Sequence, residues 1–213
     1  MQYFFSTYGQ MLLKAVFTHF YYVLISVSIG FCIALLLGIL LSRIPKYSKI
    51  IIPIISIFQT IPGIVFIGIL FIYIGMVPTT VIIALSIYAI FPILKNTYVG
   101  ICEVPEPYKE AARGCGMSQF QILTRVELPI ALPTIISGLR MSTVYTVSWA
   151  VLAAMIGLGG LGEFIYRGVG TNNNILIIAG AIPAAIMAIC LGLLIDYVQK
   201  LVTPRGLREE NSK

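Results

Sequence analysis

Few of the 213 residues are of a type and spacing that suits covalent chemistry. Gly157, Gly159 and Gly162, in the run Gly-Leu-Gly-Gly-Leu-Gly, fit the dinucleotide fingerprint G-x-G-x-x-G. That fingerprint works between a strand and a helix, in a βαβ unit followed by an acidic residue. Here the run closes a long apolar stretch. With Gly160, these glycines therefore read as an external turn, or as close backbone packing where the chain leaves a membrane. The single histidine, His19, and Cys32, Cys102, Cys115 and Cys190 have no metal-ligand or redox spacing. The sequence contains no G-x-x-x-x-G-K-[ST] phosphate loop. The expectation is a chain with no catalytic residue, no metal and no cofactor of its own, and so not an enzyme.

The elements that carry these residues belong to a membrane. Hydrophobic residues make up 59% of the chain and charged residues 10%, with a mean hydropathy of +0.98, whereas a soluble domain is about 25% charged. A hydrocarbon core of roughly 30 Å takes about 20 helical residues to cross. Against that length, five candidate spans stand out: Phe20 to Leu41, Ile50 to Gly75, Thr79 to Leu94, Met141 to Leu158 and Ile175 to Ile195. The second is long enough to tilt or to break at Pro62. The third can run on toward Ile101 if Lys95 snorkels, and the fourth can begin earlier, over Ile130 to Leu139. The runs are continuous and do not alternate, which indicates helices and not a barrel.

Lysine and arginine orient the bundle. With five spans, 12 of the 14 basic residues fall on one side, among them Arg43, Lys46, Lys49, Lys95, Lys109, Arg113, Arg125, Arg140, Lys200, Arg205, Arg208 and Lys213. The N-terminus is then outside and the C-terminus cytoplasmic, and the net charge of +6 reflects this bias and not nucleic-acid binding. A sixth crossing by the N-terminal segment would reverse the first of these. Residues 1–14 read as an interfacial segment without a removable signal peptide. Phe4, Phe5, Tyr8, Met11, Leu12, Val16 and Phe20 recur at near-helical spacing, as in a helix on the outer surface or a tilted extension of span one. Residues 15–200 form the transmembrane domain and 201–213 a cytoplasmic tail. A second short outer helix is expected over Glu163 to Arg167. The uninterrupted spans hold no acidic or basic residue, which disfavours a self-powered proton-coupled transporter or an acidic-ring channel. Arg140 and Asp196 lie toward inner ends, where either can snorkel, pair or fix helix position.

The inner loop between spans three and four is the most informative stretch. Pro107 suits a first helical position, residues 110–113 favour helix, and Gly114 or Gly116 can end it in a left-handed conformation. Ser118 and Gln121 can form a capping box. Phe120, Leu123 and Val126 make an apolar stripe, and Pro129 bars smooth continuation. A helix, a glycine turn and a second helix project toward the cytoplasm.

Glu110-Ala111-Ala112, three residues, Gly116, nine residues, Val126, one residue, then Leu128-Pro129 resembles the signature loop of binding-protein-dependent ABC importer permeases, of the methionine-permease-like type. Val126 stands where isoleucine is usual. Gln59-Thr60-Ile61-Pro62, Lys95-Asn96-Thr97-Tyr98, Gly159-Gly160-Leu161-Gly162 and Ala179-Gly180-Ala181-Ile182-Pro183 are similar to the osmoprotectant branch, which imports glycine betaine, carnitine, choline and related quaternary amines. The resemblance runs from about residue 15 to 200. It implies an all-α bundle with a cytoplasmic coupling helix and a second permease subunit, identical or a sister. It also implies two cytoplasmic P-loop ATPase subunits that bind ATP and Mg, and an external substrate-binding protein. Glu110 to Gly116 would seat in the ATPase cleft, with Ala111 and Ala112 allowing close contact and Gly116 aiming the loop. Related permeases carry methionine or zwitterions such as ergothioneine, and a stand-alone channel or facilitator is the remaining alternative.

For the pathway, Gln59, Thr60 and Pro62 are polar or backbone-freeing positions in span two. They can face a cavity or hydrogen-bond between helices. Tyr88, Tyr145, Ser148 and Trp149 lie in later spans, where the aromatic faces suit a quaternary ammonium by cation–π contact or simply pack.

Overall fold

The computed structural model describes residues 2–203, with side chains from Thr7 onward. The expectations placed on the Phe4 and Phe5 side chains and on the tail residues Arg205, Arg208 and Lys213 lie outside the described residues.

Four helices are long and apolar enough to cross a membrane: α1 (Gln2–Arg43), α4 (Pro78–Cys102), α7 (Leu128–Ala150, within a helical run from Gln119 to Ile156) and α9 (Asn174–Val202). Between the first two lies a bent pair, α2 (Pro45–Thr60) and α3 (Gly63–Ile74), which turns through 93°. The break falls at Ile61 and Pro62, where proline cannot donate to the helix ladder and biases its predecessor toward extended backbone.

The register between helices counts the crossings. Ser26, Gly30 and Gly38 of α1 meet Ile82, Ala89 and Thr97 of α4, in the same order along both helices. α1 and α4 are therefore parallel, and a chain that returns to start a parallel helix must first cross back. α2 and α3 make that crossing: Ser48 Oγ donates to Tyr98 Oη (3.0 Å) near one end of α4 and Gln59 Nε2 to the Tyr88 carbonyl (2.8 Å) further along. α7 runs antiparallel to α4, with Gly138 against Pro92 and Ser142 Oγ bonded to the Ala89 carbonyl at 2.9 Å. α9 runs antiparallel to α7, with Gln199 at Pro133 and Asp196 at Arg140. Five crossings follow.

α4 is the centre of this bundle, and small residues bring its neighbours close. A Cβ added at Gly30 would stand 2.8 Å from Ala89 Cβ, and one at Gly138 would stand 3.0 Å from the Pro92 carbonyl oxygen. Apolar burial does not drive helices together in lipid, so such close backbone packing carries the association. Val81, Ala84, Leu85, Ile93 and Leu94 of α4 are buried, whereas Leu24, Ile33 and Leu36 of α1 and Ile178, Ile182, Ile186 and Ile189 of α9 are exposed, as lipid-facing residues should be.

Local structure bears on several expectations. α1 is one unbroken helix from residue 2 to 43, continuous across the 14/15 boundary. Tyr8, Met11, Leu12 and Val16 pack with Leu161, Phe164 and Leu176. The helix α8 (Gly162–Gly170) is longer than residues 163–167 and buries Phe164 fully. Pro129 does bar a smooth continuation, as expected. A short α6 (Gln119–Ile122) leads into a π-helical turn (Leu123–Glu127), in which the Leu128 N–H reaches back to the Leu123 carbonyl, and α7 follows directly. The wider turn accommodates the proline ring and its missing donor. The fourth span narrows at its end to a 3-10 segment, Val151–Ile156.

Candidate coupling site and membrane face

The loop between α4 and α7 carries α5 (Glu106–Gly114). It begins one residue before expected, with Glu106 first and Pro107 second. Glu106 in the first turn and Arg113 in the last complement the helix dipole. They also meet one another at 2.7 Å, with Lys109 at 3.3 Å from Glu106. The Arg113 and then the Lys109 hydrogen bond hold the Glu106 carboxyl below the ordinary value of 4.5. Glu110 and Ala111 are exposed on the outer face with Tyr108, while Ala112 is buried against the chain itself. Of the two alanines, Ala111 is thus the one left open, and Ala112 is small for internal packing.

α5 ends in a Schellman turn: the Gly116 N–H donates to the Arg113 carbonyl (2.9 Å) and the Met117 N–H to the Ala112 carbonyl (3.1 Å). Gly116 has φ +76°, the left-handed region, so of the two candidate glycines it is the one that turns the chain. Ser118 and Gln121 form the expected reciprocal capping box. The apolar stripe is not the buried face: Phe120 is exposed, Leu123 and Val126 are half-buried, and Ile122 makes the anchor. Leu128 and Pro129 are half-buried at the start of α7.

At the bend of span two, Gln59 bonds between helices, and Thr60 Oγ1 donates to the Ile57 carbonyl of its own helix (2.7 Å). Pro62 caps α3. The carbonyl freed at Ile61 accepts from Tyr88 Oη at 2.7 Å. Tyr88 is buried, with its ring edge-on to Trp149 (centroids 4.1 Å apart) and to Phe66 (5.3 Å). These contacts bring Gln59, Pro62, Tyr88 and Trp149 together in a packed joint. Tyr145, exposed on α7, touches this joint at its edge, its ring centroid 6.4 Å from that of Trp149, and Ser148 is exposed on the same helix.

At the end of the bundle away from α5, Gly157, Gly159 and Gly160 have φ of +73°, +77° and +84°, a left-handed turn. Gly162 is where backbones touch: its added Cβ would sit 2.0 Å from the Val151 carbonyl oxygen. Among the described residues no group of His, Cys, Asp and Glu is arranged to hold a metal, and the four cysteines are free.

Residues 5–207 match the family model of the binding-protein-dependent transport system inner membrane component. The chain belongs to this family. Among its relatives, the carnitine transport permease protein OpuCB of Listeria monocytogenes is 37% identical over 97% of this chain and 94% of its own. The glycine betaine/carnitine/choline transport system permease protein OpuCB of Bacillus subtilis is 37% identical over 98% of this chain and 96% of its own. The inward-facing MetNI methionine ABC transporter shares the fold, with a TM-score of 0.83 and 22% identity over 92% of this chain and 98% of the solved one. The protein is thus a multi-pass inner-membrane permease subunit of a binding-protein-dependent transport system.

Two features of this permease escaped sequence reasoning. Arg43, the last residue of α1, forms a bidentate pair with Glu127, through Nη1–Oε1 at 3.2 Å and through Nη2–Oε2. The Glu127 side chain is 4% exposed. This pair ties the π turn behind α5 to α1, although 84 residues separate its members. The only sequence signal was a charge beside the signature positions. At the other end, the buried His19 lies with Nε2 3.0 Å from the Val147 carbonyl, which can only accept, so Nε2 carries the proton. Tyr22 Oη donates to the Leu158 carbonyl at 3.0 Å. These bonds hold the narrowed end of span four against α1.

Proposed function

We propose that this permease is the transmembrane subunit of an ATP-driven importer of quaternary-amine osmoprotectants, of the glycine betaine, carnitine and choline class. The observation that carries the coupling part of this reading is the exposed α5, which presents Glu110 and Ala111 outward and is braced behind by the π turn. The substrate class rests on the printed activities of relatives 37% identical over nearly the whole chain.

In this reading two permease chains pair, and each lends Glu110 to Gly116 to one of two cytoplasmic ATPases, which bind ATP and Mg. A binding protein delivers substrate to the outer turn at Gly157 to Gly162. The basic loops orient α5 and the C-terminus to the cytoplasm and the N-terminus outward. ATP drives transport only if it binds one conformation of the assembly more tightly than the other. The displacement of α5 on ATP binding then passes through the π turn to α7, and alternating access follows.

The test is gentle purification of tagged protein from its native membrane beside Glu110→Lys, with copurifying chains identified by mass spectrometry. A P-loop ATPase is expected with the wild type and lost with the variant, and its companion binding protein is expected to bind betaine, carnitine or choline. Recovery without any ATPase, under conditions that keep other membrane complexes intact, would overturn the coupling reading.

A further inference from the structure

One membrane-level surface of the permease is not apolar. Ser137, Arg140, Met141, Tyr145 and Ser148 are exposed on a single face of α7, at helical spacing. The side chains of Arg140 and of Asp196, opposite on α9, are 52% and 36% exposed. They meet through Nε and Oδ1 at 2.9 Å. A charged pair facing hydrocarbon is costly, and neighbouring exposed positions of α9, such as Ile189 and Leu193, are apolar. On α7 the same face carries Arg140 together with the hydroxyls of Ser137, Tyr145 and Ser148, a polar surface beside an apolar one. Asp196 lies 22 residues beyond the start of α9, about 33 Å along it at 1.5 Å per residue, near the basic end of the bundle.

Ser137, Arg140, Met141, Val144, Tyr145 and Asp196 line one cavity of about 460 Å³. Its chemistry is that of a site for separated opposite charges. Arg140 approaches Asp196 through Nε, and among the described residues no hydrogen bond engages its two Nη atoms. That edge of a guanidinium fits a carboxylate. Asp196 offers acceptors only, which attract a quaternary ammonium without needing an N–H from it. The exposed Tyr145 ring adds a face for the same cation. A zwitterion entering here would exchange one internal ion pair for two and leave the net charge unchanged. Such an exchange is nearly balanced, which suits a site that must fill and empty in every cycle.

We propose that Arg140, Asp196 and Tyr145 form a transit site for a zwitterionic quaternary amine, with its carboxylate on Arg140 and its ammonium between Asp196 and Tyr145. This rests on the importer reading and adds a substrate contact within the permease itself. A cation without a carboxylate, such as choline, would use only the Asp196 and Tyr145 side.

The test uses the permease–ATPase complex in nanodiscs without the binding protein, with glycine betaine, carnitine and choline each followed by saturation-transfer NMR. Betaine and carnitine are expected to bind the wild type. Arg140→Gln is expected to weaken both about tenfold, the equivalent of one lost charge-assisted hydrogen bond, while choline changes little. Asp196→Asn is expected to weaken all three. If Arg140→Gln fails to assemble, Arg140→Lys decides, because it keeps the charge and loses the planar fork. Absence of zwitterion binding by the wild type overturns the proposal, as does equal weakening of betaine and choline by the Arg140 variant. Uptake by the wild-type complex with its binding protein is measured separately. Uptake without zwitterion binding here refutes the site alone, and binding here without uptake of any of the three refutes the osmoprotectant reading alone.

Discussion

The Arg43–Glu127 pair predicts an asymmetry that can be measured. Glu127 is 4% exposed and Arg43 36% exposed in their side chains, so the two partners do not lose equally when the other is removed. Arg43→Met keeps much of the aliphatic stem but strands a buried carboxylate, a change that costs roughly 3–5 kcal/mol. Glu127→Gln keeps the shape and one acceptor, and the freed Arg43 head can turn to water or headgroups, so about 1–2 kcal/mol is expected. Combining Arg43→Met with Glu127→Gln leaves no uncompensated charge, and the double variant should lose about 2 kcal/mol or less. Independent effects would instead sum to roughly 4–7 kcal/mol, so a cycle of these variants should show a coupling of about 2 kcal/mol or more. The assay is reversible unfolding in mixed micelles at neutral pH, with the ratio of uptake to ATP hydrolysis measured on the assembled transporter. Both single variants should lower that ratio, because the π turn behind α5 would no longer be tied to α1. Equal costs for the two single variants, or a double variant no better than their sum, would refute the assignment of the pair as a buried brace.

The two glycines at the end of α5 should respond oppositely to alanine. Gly116 has φ +76°, so Gly116→Ala should cost about 1–2 kcal/mol. Gly114 is helical with open space around its Cβ position, so Gly114→Ala should stabilise α5 by about 0.5–1 kcal/mol; hydrogen exchange of the α5 amides reads both. Bulk at Gly116, as in Gly116→Leu, should further uncouple uptake from hydrolysis at equal membrane abundance. Glu106 sets an acid dependence: its folded value lies below the ordinary 4.5, owing to Arg113 and then Lys109. Its support of α5 is therefore present above that ordinary value and is lost as pH falls through the lower folded one. Exchange of the α5 amides, corrected for intrinsic rate, should rise in that window for the wild type, and Glu106→Gln should abolish the rise.

Much of the architecture was legible in the chain because a bilayer imposes a one-dimensional rule. A helix that crosses hydrocarbon must be apolar over its length, and a loop that stays inside retains its basic residues, so span existence and the basic end can be read without knowing any contact. The capping box at Ser118 and the left-handed turns at Gly116 and Gly157 were equally local, fixed by residues within a few positions of one another. Pro62 was readable as a break for the same reason. The parallel register of α1 and α4 was not, and it alone makes α2 and α3 a single return crossing.

The functional details divide along the same line. The signature from Glu110 to Pro129 marked the loop proposed to couple, but the helical period could not say that Ala111 faces outward and Ala112 inward, since that depends on what lies behind α5. Pro129 read as a bar to smooth continuation because its missing donor is a local fact, whereas the π turn that absorbs it is held in place by Ile122 and the Arg43–Glu127 pair. Gln59 and Tyr88 were visible as polar groups in an apolar run, and only packing made them partners across helices. Arg140 and Asp196 stood at inner span ends 56 residues apart, and the antiparallel register of α7 and α9 closed them into one ion pair on an open face. A five-span permease with a helical loop between spans three and four could be read from the chain alone, because hydropathy, charge bias, caps and the signature act over short separations. The tertiary structure decided which polar residues brace the bundle and which lie exposed, because those roles depend on distances between residues that the chain order does not encode.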